Sequence, residues 1–204
     1  VGSTNRVVWF DNGTSQTVGG TITADTTWTA SGGPRNVTSS LTIANNATLT
    51  IEPGVTVFLG SGVNITVANG GRLLAQGTAT NRIHFTAPPG SGVNWGGLTI
   101  NGAVGSPETR IAHAHFEGNS STCIEAAAGT VFLDHLTFGT TTHPYLALDG
   151  ASFVVQDCVF PTATAAFELV HGTGGIKSGG QGAVVRNFFG AANGYNDVVD
   201  FTGG

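Results

Sequence analysis

The sequence predicts an all-β solenoid, a β-helix of roughly eight coils, on three observations. First, a strand ending in Phe recurs at a fixed interval. It reads Ile111-Ala112-His113-Ala114-His115-Phe116, then Leu133-Asp134-His135-Leu136-Thr137-Phe138, then Val155-Gln156-Asp157-Cys158-Val159-Phe160, with 22 residues between successive Phe anchors. A looser copy, Val184-Val185-Arg186-Asn187-Phe188-Phe189, follows after 29, which leaves room for an inserted loop. A period of this size marks a fold in which each repeat buries its face against its neighbours alone. Second, Gly makes up 32 of 204 residues and charged residues only 9%, so the Ala-, Leu-, Glu- and Lys-rich runs of long helices are missing. Third, apolar residues spaced by two alternate with Gly, Asn, Ser and Pro from end to end, as short strands bounded by turns do.

Taken in order, residues 1–20 carry a weak strand, Val7-Val8-Trp9-Phe10, and a turn at Asp11-Asn12-Gly13. They are expected to cap the open end of the first coil, since an uncovered solenoid end exposes core and strand edges together. Regular coils are expected from about Thr21. Leu41/Ile43 and Leu49/Ile51 point inward, then Val55/Val57 after Glu52-Pro53-Gly54; Ile65/Val67 and Leu73/Ala75 repeat the first two pairs 24 residues on. Ile83/Phe85 and Leu98/Ile100 continue the series, giving three short strands per coil. Cys158 takes the inward position two before Phe160, where other copies hold Ala114 and Leu136, and so reads as a small buried hydrophobe. Spacing alone leaves a Cys123–Cys158 disulfide undecided. The repeat runs without a linker, so residues 1–204 form one domain, roughly 40 Å long at ~4.8 Å per rung.

The stretch Thr48-Leu49-Thr50-Ile51-Glu52-Pro53-Gly54-Val55-Thr56-Val57, with Gly70-Gly71-Arg72-Leu73-Leu74-Ala75-Gln76-Gly77-Thr78, Ile83-His84-Phe85-Thr86 and Trp95-Gly96-Gly97-Leu98, resembles the right-handed parallel β-helix segments of large secreted bacterial surface proteins. That resemblance, over roughly residues 20–200, implies a right-handed helix and a secreted or cell-surface, carbohydrate-linked setting. Proteins of that kind include adhesins, glycan-binding modules, and polysaccharide lyases and hydrolases.

The formal net charge is −5, with Lys177 the only lysine and six arginines scattered singly, which excludes the basic face of a nucleic-acid binder. No apolar run approaches the ~18 residues of a membrane span. The absence of Met, even at position 1, leads us to expect part of a longer processed chain, with further domains of that chain as partners.

Chemistry-bearing residues fall in two groups. Three before each Phe anchor stand His113, His135 and Asp157, with Arg186 in the looser copy. This column reads as a ladder in a tight turn, where His and Asp tolerate left-handed backbone, before it reads as a metal site. The densest ionisable group is C-terminal: Glu168, His171, Lys177, Arg186, Asp197 and Asp200, beside the Gly-rich segment that breaks the period. With Tyr195, we expect Glu168, His171, Lys177, Asp197 and Asp200 to bind ligand. Asp197 and Asp200 could supply oxygens to Ca²⁺, though two carboxylates fall short of its usual six to eight ligands.

The same pair could serve as acid and base in glycoside cleavage. However, compared with polygalacturonase-like hydrolases, only His171-Gly172, Ile176-Lys177 and Asn196-Asp197 echo the motifs, in the wrong order; the acidic cluster and Arg-x-Pro-x-x-Arg motif of pectate lyases are missing. No catalytic residue is therefore assigned. Among aromatics able to stack on sugar rings, Trp28 and Trp95 begin strands and read as structural, Trp9 lies in the expected cap, and Tyr145 and Tyr195 sit in turn-like settings that suggest exposure. The expected function is a non-catalytic, extracellular module binding a plant-type polysaccharide such as xylan or pectin. The alternatives are a lyase or hydrolase acting on an acidic polysaccharide, and an adhesin or spacer.

Overall fold

In a computed structural model, which describes residues 14–103, 105–172, 181–194 and 197–201, the chain is a right-handed parallel β-helix with three faces. The first coil holds β1 (Gln16–Ile22) and β2 (Thr26–Trp28), and the second holds β3 (Arg35–Ile43) and β4 (Thr48–Ile51). Three strands per coil follow: β5 (Thr56–Leu59), β6 (Asn64–Val67) and β7 (Arg72–Gln76); β8 (Ile83–Thr86), β9 (Gly97–Asn101) and β10 (Thr109–Ala112); β11 (Ala114–Phe116), β12 (Ile124–Ala128) and β13 (Thr130–Asp134). Then come β14 (Thr137–Phe138), β15 (Leu146–Ala147) and β16 (Ser152–Gln156); β17 (Val159–Phe160), β18 (Val170–His171) and β19 (Gly182–Val185); and finally β20 (Phe188–Phe189) and β21 (Val199–Asp200).

Strands β5, β8, β11, β14, β17 and β20 stack on the N-terminal half of β3 as the first face, and β6, β9, β12, β15, β18 and β21 on its C-terminal half as the second. The third face runs β2, β4, β7, β10, β13, β16, β19. Every pairing is parallel, and β1 already forms a full rung against β3, so regular coils begin at Gln16, a few residues before the expected Thr21.

The anticipated inward residues are the core. Leu41 pairs with Ile65 and Leu49 with Leu73, the 24-residue interval expected. Each of these, with Ile43, Ile51, Val57, Val67 and Ala75, is essentially inaccessible, and each aliphatic side chain so buried contributes about 1.5–3 kcal/mol. Inside the first face runs a continuous aromatic stack. Phe85 to Phe116 is 4.6 Å between centroids, Phe116 to Phe138 5.8 Å, Phe138 to Phe160 5.1 Å and Phe160 to Phe189 5.0 Å, with ring planes within 23° of parallel. The loose fourth copy thus supplies a genuine rung. Trp28 and Trp95 are buried as structural residues, Trp95 Nε1 donating to the Glu117 carbonyl at 2.8 Å. Both cysteines are buried and free, which settles the pairing that spacing left open.

At the C-terminal end the strand edges are less well covered. Phe201 lies over Phe153, 5.3 Å away at 18°; a β-carbon at Gly182 would strike the Phe153 ring and one at Gly172 the Phe201 ring, so both glycines leave room for the pair. The expected cap strand Val7–Phe10 lies outside the described residues.

Candidate functional site

Along the edge where the second face turns into the third runs an open groove of about 400 Å³, lined by Glu108, Thr130, Ser152 and Gln181 on the polar side and Val131, Phe153 and Val154 on the apolar side. The groove is a product of register. Thr130 pairs with Ser152 and Val131 with Phe153, which in turn pairs with Gly182, so the polar residues that open each third-face strand line up one rung apart. Strand alternation then sends Phe132 and Val154 to the same outer surface as Thr130 and Ser152. Beside the groove, Arg110 forms an ion pair with Glu108 and lies 4.7 Å over the Phe132 ring, which fixes a cation, a carboxylate and an aromatic face together. The sequence reading missed this groove. Its signal was present, since Thr130, Ser152 and Gln181 repeat at the same 22- and 29-residue intervals as the Phe anchors.

The edge between the third and first faces carries the expected column. His113, His135, Asp157 and Arg186 all have positive φ, from 46° to 54°, so each makes a left-handed corner between two strands. Asn, Asp and His tolerate this conformation best. Arg186 is unusual there, and its Nε and Nη2 donate to the two carboxylate oxygens of Asp157 at 2.8 and 2.6 Å. That guanidinium holds the Asp157 carboxyl below its ordinary range. The ladder reading is the one the backbone supports.

On the outside of the first face, His115 Nδ1 lies 2.9 Å from Thr137 Oγ1, and its Nε2 lies 3.6 Å from the Glu117 carboxylate, which also accepts from Thr86 Oγ1 at 2.9 Å. Those partners pull the Glu117 carboxyl down. One rung back, His84 is buried, and desolvation, helped by His115, lowers it to about 4.

Of the expected C-terminal residues, His171 and Asp200 are brought together, as register partners on the outer side of the second face. Glu168 is half-buried just before β18, and Asp197 is exposed ahead of β21. Lys177 and Tyr195 lie outside the described residues, as does Trp9. Tyr145 corrects an expectation: rather than exposed, its ring is fully buried, 5.1 Å from Phe138 and 5.9 Å from Phe160. The Thr142-His143-Pro144 segment is the turn, and Tyr145 is the first residue past it, aligned through backbone bonds with Ile124 and Leu169 on the inward path. Burial pushes its hydroxyl up to about 12.

A family description, the pectate-lyase-like β-helix domain, matches residues 20–123, just over half of the chain. Comparison with curated proteins and with solved structures gives no match. The matched residues run from within β1 to the residue before β12 and carry the expected inward pairs and the first members of the Phe stack. With the all-parallel, three-faced architecture, they establish that the chain belongs to the pectate-lyase-like β-helix family.

Proposed function

We propose that this domain is a non-catalytic polysaccharide-binding module that holds its ligand in the groove between the second and third faces. The observation that carries the reading is the groove's mixed lining on a fold whose family description refers to pectate lyases. Sugar rings present apolar C–H faces and hydroxyl edges. Val154 and the Phe153 edge offer apolar contact, while Thr130, Ser152, Gln181 and Glu108 offer donors and acceptors at one-rung spacing. A groove that follows the helix axis suits an extended chain better than a compact small molecule. A plant-type polysaccharide such as xylan or pectin, met outside the cell, is the ligand class we favour. The one carboxylate in the lining, Glu108, is paired with Arg110, so among the described residues the groove offers no unpaired cation to a polyuronate, and neutral xylan is the ligand we favour.

Affinity electrophoresis through gels containing xylan, pectin or other glycans, followed by calorimetry on soluble oligosaccharides, tests the reading. Ser152→Arg, which fills the groove, should weaken binding at least about tenfold with the melting temperature nearly unchanged. The double variant Lys177→Ala/Tyr195→Ala probes the C-terminal site expected from sequence. Loss of binding there, with Ser152→Arg unaffected, would move the ligand to that surface. Failure to retard on any glycan would leave the adhesin or spacer role, and release of unsaturated uronides would make the protein a lyase.

A further inference from the structure

Where the third face turns into the first, two histidines stand on adjacent rungs with a carboxylate beside them. The His113 and His135 rings are 4.5 Å apart at 32°, and Asp134 Oδ1 lies 2.7 Å from His135 Nδ1. One donor atom from each of His113, Asp134 and His135 lies within 4.8 Å of the others, and among the described residues no other three His, Cys, Asp or Glu side chains meet this way. We propose that His113, Asp134 and His135 form a binding site for a late first-row divalent cation, Zn²⁺ above all, which ties two successive coils together at their corner.

Four features support it. Ligands 2.0–2.1 Å from a tetrahedral zinc sit about 3.4 Å apart, so closing the cluster takes shifts of about 1 Å, within reach of ring and carboxylate rotation. Access from solvent exists, because the His135 side chain is 45% exposed. His113 Nδ1 is buried with no hydrogen-bond partner among the described residues, an arrangement that a coordinated ion would relieve. Finally, the surroundings already hold the ligands in place. Gln156 Nε2 donates to Asp134 Oδ1 at 3.2 Å, and Arg82 Nη1 donates to the His135 carbonyl at 2.7 Å, the kind of outer contacts that orient metal ligands.

Charge decides which cation. Arg82 and Arg186 stand against Asp134 and Asp157, so the local balance is near zero. A hard ion held by several carboxylates, such as Ca²⁺, gains little here, whereas imidazole nitrogens bind zinc, nickel or copper by coordination. Three protein ligands leave a fourth position to water.

The test is calorimetric titration of the whole, chelator-stripped chain with ZnCl₂ at pH 7.5, with CaCl₂ in parallel. One zinc per chain in the micromolar range, and no comparable calcium binding, is expected. His113→Asn and His135→Asn each keep a residue that accepts left-handed backbone, so circular dichroism should stay native while zinc affinity falls at least about tenfold. No zinc binding at millimolar concentration overturns the proposal. So does affinity within threefold of native in the double Asn variant, which would put zinc on His84, His115, His143 or His171. If the variants misfold, Co²⁺ added to the native protein decides: an intense visible absorption band supports imidazole ligation at low coordination number, and the pale spectrum of the aqueous ion refutes it.

Discussion

Replacing Phe138 with Ala removes the middle ring of the aromatic stack. Phe138 is 5% exposed and touches rings on both sides, Phe116 at 5.8 Å and Phe160 at 5.1 Å, with Tyr145 at 5.1 Å closing the third side. Removing about 150–250 Å² from water at ~25 cal/mol per Å² is worth about 4–6 kcal/mol for a whole side chain. Ala keeps the β-carbon and neighbours relax slightly, so a cost of about 3–5 kcal/mol follows. Phe189 is the last ring of the stack among the described residues, lies 5.0 Å from Phe160 and is half-buried against the core, so Phe189→Ala should cost about 1–2 kcal/mol. For a chain of this length these become melting-temperature drops of about 6–20 °C and about 2–8 °C. Urea and thermal unfolding, followed by far-ultraviolet circular dichroism, measure both. A Phe189→Ala loss equal to or larger than that of Phe138→Ala would refute the stack as the core's organising contact, as would an unchanged midpoint for Phe138→Ala.

Three further outcomes are expected. A β-carbon on Gly71 would sit 2.6 Å from the Ile43 carbonyl and 2.9 Å from that of Ala44, so Gly71→Ala should destabilise by about 1–3 kcal/mol in the same unfolding assay. His84 titrates near 4 when folded, against about 6.5 in a free chain, because burial and His115, with a smaller part from Arg82, outweigh the opposing Glu117. The unfolded state therefore binds the extra proton first. The stabilisation is fully present above pH 6.5 and is lost as pH falls towards 4, by about 3 kcal/mol; a pH–stability slope in that window unaltered by His84→Gln would contradict it. In the groove, Val154→Asp should reduce retardation in xylan gels at least about fivefold while far-ultraviolet circular dichroism stays native; unchanged retardation would remove this surface from the binding site.

The parts legible in the sequence are those set by the period. Phe116, Phe138 and Phe160 announced an inward column because they repeat at 22 residues, and His113, His135 and Asp157 announced a corner because they keep a fixed offset from it. Tyr145 misled because turn-forming neighbours say where the chain bends, whereas the alternation that resumes after the bend decides which way the next side chain points. The groove column Thr130, Ser152 and Gln181 keeps the same period and was passed over, and Asp134's place beside the His113 and His135 column stayed hidden for a related reason. The cluster depends on sideways contact, Asp134 beside its own neighbour His135 and one coil from His113, and a column of equivalent positions does not display such contacts. His171 and Asp200, expected in one C-terminal group, are register partners because parallel coils place sequence-distant residues one rung apart.

The left-handed corners also determine how a chain like this can vary in length. Between β10 and β11 the corner is the single residue His113, and in the next three coils it is a pair beginning with His135, Asp157 or Arg186, each at positive φ. An inserted residue there would shift the following strand out of the Phe stack and reverse which side faces inward. The edge between the first and second faces is different: its connections range from four residues after β5 to ten after β8 while the rungs stay in register. Loop grafts, epitope tags or whole inserted modules should therefore be accepted along that edge and rejected at the tight His113, His135, Asp157 and Arg186 corners, so the later coils can be decorated on one side while the other keeps its register.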